Sequence, residues 1–156
     1  MALTKLNSAS VIDRLPVGSV IQTLHQEITA LKVIGASITA TGFTLNITPT
    51  FSNSIIRSSF FLNGVNAPNA TSTWLFYIFK AGSFLAYLDD VAGYDPQGNT
   101  QQSCNLIYHD APNSTSQITY SLSGNRQSGS GNVNFNNYVT ANNRTRSCFI
   151  LEEIKQ

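Results

Sequence analysis

Charge is the scarcest commodity in this chain. Asp, Glu, Lys and Arg make up only 11% of its 156 residues, against about 25% in an ordinary soluble domain. Nine basic and eight acidic residues leave a formal net charge of +1. They form no basic block, so docking on a nucleic-acid backbone has no footing. No apolar run approaches the roughly 18 residues of a membrane-spanning helix. The stretch before Val20 holds no apolar core of a secretory signal, and synthesis in the cytosol is the expectation. Cysteine is nearly absent as well. Cys104 and Cys148 belong to no CxxC, and with His25 and His109 they do not make a zinc pattern. Buried thiols are expected, with a disulfide as the alternative.

Catalytic signatures are missing too. There is no GxSxG, HExxH, phosphate-binding loop or dinucleotide fingerprint. His109 and Asp110 are neighbours, but neighbours on a strand point to opposite faces. Both histidines read as surface or interface positions, with a metal site on an oligomer axis as the sharper alternative. Asp89, Asp90 and Asp95 lie in a loop-like stretch where turn chemistry outweighs a calcium site. Pairing them with Glu152 or Glu153 as glycosidase carboxylates finds no support in the spacing. No cofactor is expected.

What fills the gap is neutral polarity: 16 Asn, 18 Ser and 15 Thr. These alternate with apolar residues at the period of a strand. In Phe43–Thr48 the apolar Phe43, Leu45 and Ile47 share one face. Further strands are predicted over Ser54–Leu62, Trp74–Lys80, Phe84–Leu88, Ser103–His109, Gln117–Ser123, Val133–Val139 and Arg146–Ile154. Ser19–Gln26 and Ile28–Ile34 read as strands for their density of Val, Ile and Thr, with a helix over Ile21–Lys32 as the alternative. Ala81-Gly82 separates two of them closely enough for a hairpin. Many short strands divided by Gly-, Asn- and Ser-rich turns predict an all-β fold, an antiparallel β-sandwich or jelly roll. It would span residues 18–156 behind an extended N-terminal arm, 1–17.

Two stretches invite a functional reading. Trp74–Phe79 is apolar on both strand faces, so both faces need cover. A subunit interface formed by Trp74, Phe76, Tyr77 and Phe79, joined by Phe60, is the favoured reading over an intramolecular loop. The loop Ser123–Asn137 and the strand after it carry Arg126, Asn132 and Tyr138, which suit a glycan through amide hydrogen bonds and ring stacking. A solvated loop is the plainer reading.

The segments GSVIQTLHQ, FTLNITPTFSNSIIRSSFFLNG, FYIFKAGSFLA, YHDAPNSTSQITYSLSGN and VNFNNYVTANNRTRSCFILEEI, in this order, resemble a C-terminal module of bacteriophage tail-fibre and related virion proteins. The likeness runs over roughly residues 18–155 and includes viruses of marine and freshwater bacteria. The chain departs from that pattern at Ile55, where Lys is usual, and at Asn136-Asn137, where an Arg commonly follows Asn. The resemblance implies a non-enzymatic virion structural protein made in the host cytoplasm, a homotrimer with a jelly-roll-like sandwich. Its partners would be itself, other virion proteins and a host surface glycan, with neither nucleic acid nor membrane. A tail-fibre or baseplate role in host attachment is expected. The alternative is a capsid cement protein, anchored through Leu3, Leu6, Val11, Ile12 and Leu15 of the arm.

Overall fold

The computed structural model describes residues 12–66, 73–92, 102–136, 138–140 and 143–156, with 89–92, 138–140 and 143–144 described by backbone alone. Its strands are β1 (Val20–Ile28), β2 (Lys32–Ile34), β3 (Thr39–Ile47), β4 (Ile55–Val65), β5 (Thr73–Lys80) and β6 (Ser83–Ala92). They continue with β7 (Gln102–Asp110), β8 (Ile118–Ser128), β9 (Val133–Phe135), β10 (Tyr138–Thr140), β11 (Asn143–Arg144) and β12 (Ser147–Ile154). Eight of these build two four-stranded antiparallel sheets, ordered β1-β12-β4-β7 and β3-β8-β5-β6. That interleaved order is a jelly roll, two Greek keys wrapped into a sandwich. The all-β sandwich read from the alternation is therefore the observed fold.

Alternation decides which side chains enter the core. Along β12 every second residue, Ser147, Phe149, Leu151 and Glu153, is buried. Between the sheets Phe60 and Phe149 stack at 4.2 Å and 18°, and Phe43 meets Phe149 edge-on at 6.3 Å. Trp74, Phe76, Ile78, Tyr120 and Leu122 fill the layer from the other sheet, each at most 1% exposed. Each large apolar group buried this way contributes about 1.5–3 kcal/mol.

The sandwich has two unlike ends. Residues 48–54, the Ala81-Gly82 turn and residues 111–117 connect strands at one end, where the chain also enters at Gly18 and leaves along Lys155. This is the fixed end of the sandwich. At the opposite end, the loop end, lie residues 29–38 with β2, and residues 129–146 with β9, β10 and β11. The strand ends flanking 67–72 and 93–101 meet there too.

Local chemistry shifts several predicted boundaries. The hairpin at Ala81-Gly82 has both central residues at positive φ, 49° and 78°, the geometry of the two-residue turn that matches strand twist. Val133–Val139 is not one strand. Asn136 takes φ 53° and splits it into β9 and β10. The predicted strand Ile28–Ile34 shrinks to the three residues of β2, paired with β9. In contrast β3 starts earlier than the alternation indicated. A register shift between Ala40 and Thr44, with Gly42 at φ 93°, breaks the period without ending the strand.

Candidate functional site

The fixed end is closed by charged groups. Glu153 is fully buried, and its carboxylate accepts from Gln22 Nε2 (2.6 Å), Thr50 N (2.7 Å), Thr50 Oγ1 (3.0 Å), Phe51 N (3.2 Å) and Ser54 Oγ (2.7 Å). Burial alone would raise its pKa. The donors from Ser54, Gln22, Phe51 and Thr50 outweigh burial and hold the carboxyl below the usual range. One carboxylate thus fixes the whole β3–β4 connection. Across the core, Asp110 at the end of β7 accepts from Tyr120 Oη (2.6 Å) and Lys80 Nζ (2.9 Å), tying one sheet to the other. Burial, then the hydrogen bond to Asp110, drives the Tyr120 phenol far above its ordinary value. Lys155 Nζ donates to the carbonyls of Ile12 (3.1 Å), Asp13 (2.5 Å) and Leu15 (2.9 Å). It pins the segment leading into the domain against the last strand.

The buried polar groups of the loop end are neutral. Asn136 is buried, donates from Nδ2 to the carbonyls of Ile28 (2.8 Å) and Ala30 (3.1 Å), and accepts from Ser147 Oγ (2.5 Å). Ser147 Oγ in turn accepts from Asn63 N (2.9 Å). Arg126 bonds outward through its backbone N to Gly35 O (2.7 Å) and through its guanidinium to Gly131 O (2.5 Å). An open cleft of about 380 Å³, lined by Asn63, Gly64, Gln102, Ser103, Thr145 and Arg146, lies at this end.

The outward sheet faces differ in chemistry. On β1-β12-β4-β7, pairing aligns His25, Ile150, Ser59 and Ile107 in one row and Glu27, Cys148, Phe61 and Asn105 in another. Ile107 is 57% exposed there. The charges on this face neutralise one another, through Arg57 with Glu152 (2.6 Å) and Arg146 with Glu27 (2.8 Å). On β3-β8-β5-β6, β3 and β8 carry Thr44 beside Ser121 and Asn46 beside Thr119, while β5 and β6 carry Tyr77 beside Tyr87 and Phe79 beside Phe84. Phe84 and Tyr87 are 50% and 63% exposed, with centroids 4.9 Å apart and planes tilted by 57°. Tyr77 beneath them donates its hydroxyl to Asn125 Oδ1 and accepts from Gln127 Nε2 (2.8 Å).

The expected subunit interface is corrected by this arrangement. Trp74, Phe76 and Phe60 are at most 1% exposed and face the other sheet, so they have no area left for a second chain. Tyr77 and Phe79 do lie on the outer face, but Tyr77 is covered within the chain by Phe84 and Tyr87. Arg126 and Asn132 stand near the Gly35 turn; the Tyr138 side chain lies outside the described residues. So do Leu3, Leu6, Val11 and Asp95, and the side chains of Asp89 and Asp90. Ile12 and Leu15 are half-buried beneath the Lys155 pin. His25 and His109 are exposed on β1 and β7. Cys104 faces the core and Cys148 the outside, on strands either side of β4. Two strand spacings, about 9–10 Å, separate them, beyond disulfide reach. Burial, and then Glu27, raise the Cys148 thiol, which keeps it protonated.

No family model matches this chain. No curated protein matches it either. Among solved structures, it aligns with dimeric latent PorU from Porphyromonas gingivalis at 8% identity and a TM-score of 0.37. That alignment covers 90% of this chain and 14% of the other, so the chain spans about one seventh of PorU. A likeness that weak carries no argument, and the functional reading rests on the geometry above.

Three features escaped the sequence reading. Glu153 was detectable in principle, since the period of β12 places it on the core face, where a carboxylate needs partners. Asp110 with Tyr120 needed the sheet-to-sheet packing. The exposed ring pair needed the register of β6.

Proposed function

We propose that this chain is a structural protein of a bacteriophage virion, a homotrimer displayed on the tail fibre or baseplate for host attachment and acting without catalysis. The observation that carries the reading is the polarity of the sandwich. The chain enters and leaves at an end locked by buried charged groups, while the longer connections gather at the other. A display module needs that division: one end joined to other virion proteins, the other free to meet a host surface. The jelly roll also recurs in viral and lectin domains, and the sequence resemblance points the same way.

Self-association is placed on the outer face of β1-β12-β4-β7. Ile150, the exposed Ile107 and the internally paired charges would let copies approach without repulsion. A capsid cement role is the second reading, favoured by the Lys155 pin, which holds Ile12, Asp13 and Leu15 against the last strand at the fixed end. Immunogold labelling of intact particles tests both. Label on the tail is expected. Label over the head selects the cement role, and particles that lack the protein overturn the virion reading.

A further inference from the structure

We propose that the outer face of β3-β8-β5-β6 is a carbohydrate-binding face, with Phe84 and Tyr87 as a ring cradle for one sugar of a neutral glycan chain. The inference deepens the attachment reading by naming ligand class and face, and rests on it for its biological sense.

Four observations bear on the choice of occupant. The two rings are the most exposed aromatics among the described residues, and their 57° tilt makes a V instead of a flat wall. A pyranose offers an apolar patch of C–H groups on its ring face, and aromatic side chains combine such apolar contact with little conformational freedom to lose. Beside the rings, the pairing places Phe79 against Ser121 and Tyr77 against Ser123, and then Thr44 against Ser121 and Ala40 against Ser123 on β3. The Ser121 and Ser123 hydroxyls therefore begin two strand spacings, about 9–10 Å, from the cradle, within reach of an adjoining sugar. The Tyr77 ring beneath the pair is held by Asn125 and Gln127 through its hydroxyl, so the floor of the cradle loses little freedom on binding.

Charge decides against other occupants. The described side chains of this face include Thr44, Asn46, Thr119, Ser121, Ser123, Asn125 and Gln127, with no Lys or Arg to meet phosphate. Stacking on a nucleic-acid base would lack its electrostatic partner. A second copy of the chain has the opposite sheet face, with Ile107 exposed and its charges paired, to meet. A neutral, hydroxyl-rich chain matches both the rings and the uncharged rows.

Affinity electrophoresis of the full chain through gels containing galactomannan, hydroxyethylcellulose or dextran tests the inference. Retardation by at least one polymer is expected, with Phe84→Ala/Tyr87→Ala weakening it at least tenfold while circular dichroism and melting stay native-like. Single Phe84→Ala and Tyr87→Ala variants guard against a double variant that misfolds, and each should weaken binding severalfold. Gln102→Ala and Ser103→Ala in the loop-end cleft should leave it unchanged. Retardation in none of the gels, loss through the cleft variants alone, or dissociation of an oligomer by the ring variants overturns it. A protein that labels phage tails yet migrates unretarded loses this face and keeps the attachment role.

Discussion

Both ends of the sandwich tie strands together through buried polar side chains, but they use different chemistry. At the fixed end Glu153, Asp110, Lys80 and Lys155 make charge-assisted hydrogen bonds, which are roughly twice as strong as neutral ones. At the loop end Asn136, Ser147 and backbone carbonyls make neutral bonds. In a chain with so few charges, the placing of both buried carboxylates, Glu153 and Asp110, at one end is the instructive feature. The charge-assisted bonds sit where the chain enters and leaves the sandwich, and the loop end relies on contacts that open at lower cost. Side-chain amides extend the fixed side along the sandwich edge. Gln26 accepts from Thr44 N (2.8 Å) and donates to Gly42 O (3.1 Å), standing in for the strand that edge β3 lacks.

The comparison breaks most visibly at Glu153. Glu153→Ala leaves buried donors from Gln22, Thr50, Phe51 and Ser54 unpaired, and a loss on the order of 3–5 kcal/mol is expected in urea unfolding. The same group sets an acid limb. Its folded pKa is depressed, so its contribution is fully present above the unfolded value, about 4.3, and disappears as pH falls through the lower folded value. Glu153→Gln should flatten that limb in thermal melts between pH 2 and about pH 5.

Tyr120→Phe is expected to cost about 1.5–3 kcal/mol by removing the hydrogen bond to the Asp110 carboxylate. Because the folded phenol is raised, its contribution holds below the unfolded value, about 10, and declines as pH rises above it. The variant should resist alkaline unfolding relative to its own neutral-pH stability. At the loop end Asn136→Gly keeps the left-handed backbone and removes only neutral bonds, so a smaller loss of about 1–2 kcal/mol should appear in the same titration. On the proposed self-association face of β1-β12-β4-β7, where Ile107 is exposed, Ile107→Glu should reduce the proposed trimer to a monomer in sedimentation with the melting transition retained. Smallest of all, Ala81→Asn at φ 49° should stabilise the hairpin by about 0.5 kcal/mol.

Much of this architecture was legible in the sequence because strand alternation is a local signal. Phe149, Leu151 and Glu153 on one face of β12, or Phe43, Leu45 and Ile47 on one face of β3, need no tertiary knowledge. The outer rings were hidden by register. Phe84 and Tyr87 are an odd number of residues apart, and strict alternation would send them to opposite faces. A shift between Ile78 and Phe79 in the pairing with β6 puts both on one side. The same loss of phase hid the true cover of Tyr77, which the sequence assigned to another subunit. Asn136 split a predicted strand for a further reason: its left-handed conformation is stabilised by Ile28, Ala30 and Ser147, from parts of the chain that the local pattern does not connect.

Native-state hydrogen exchange compares the two ends within one molecule. The amides of Thr50 and Phe51, which donate to the Glu153 carboxylate, should exchange only with global unfolding. Those of Asn66 and Arg126, which bridge to Asn134 and Gly35, should exchange through a smaller opening of the loop end. Equal protection at both ends, or slower exchange at Asn66 and Arg126, would contradict the division into a charge-locked fixed end and a more weakly held loop end.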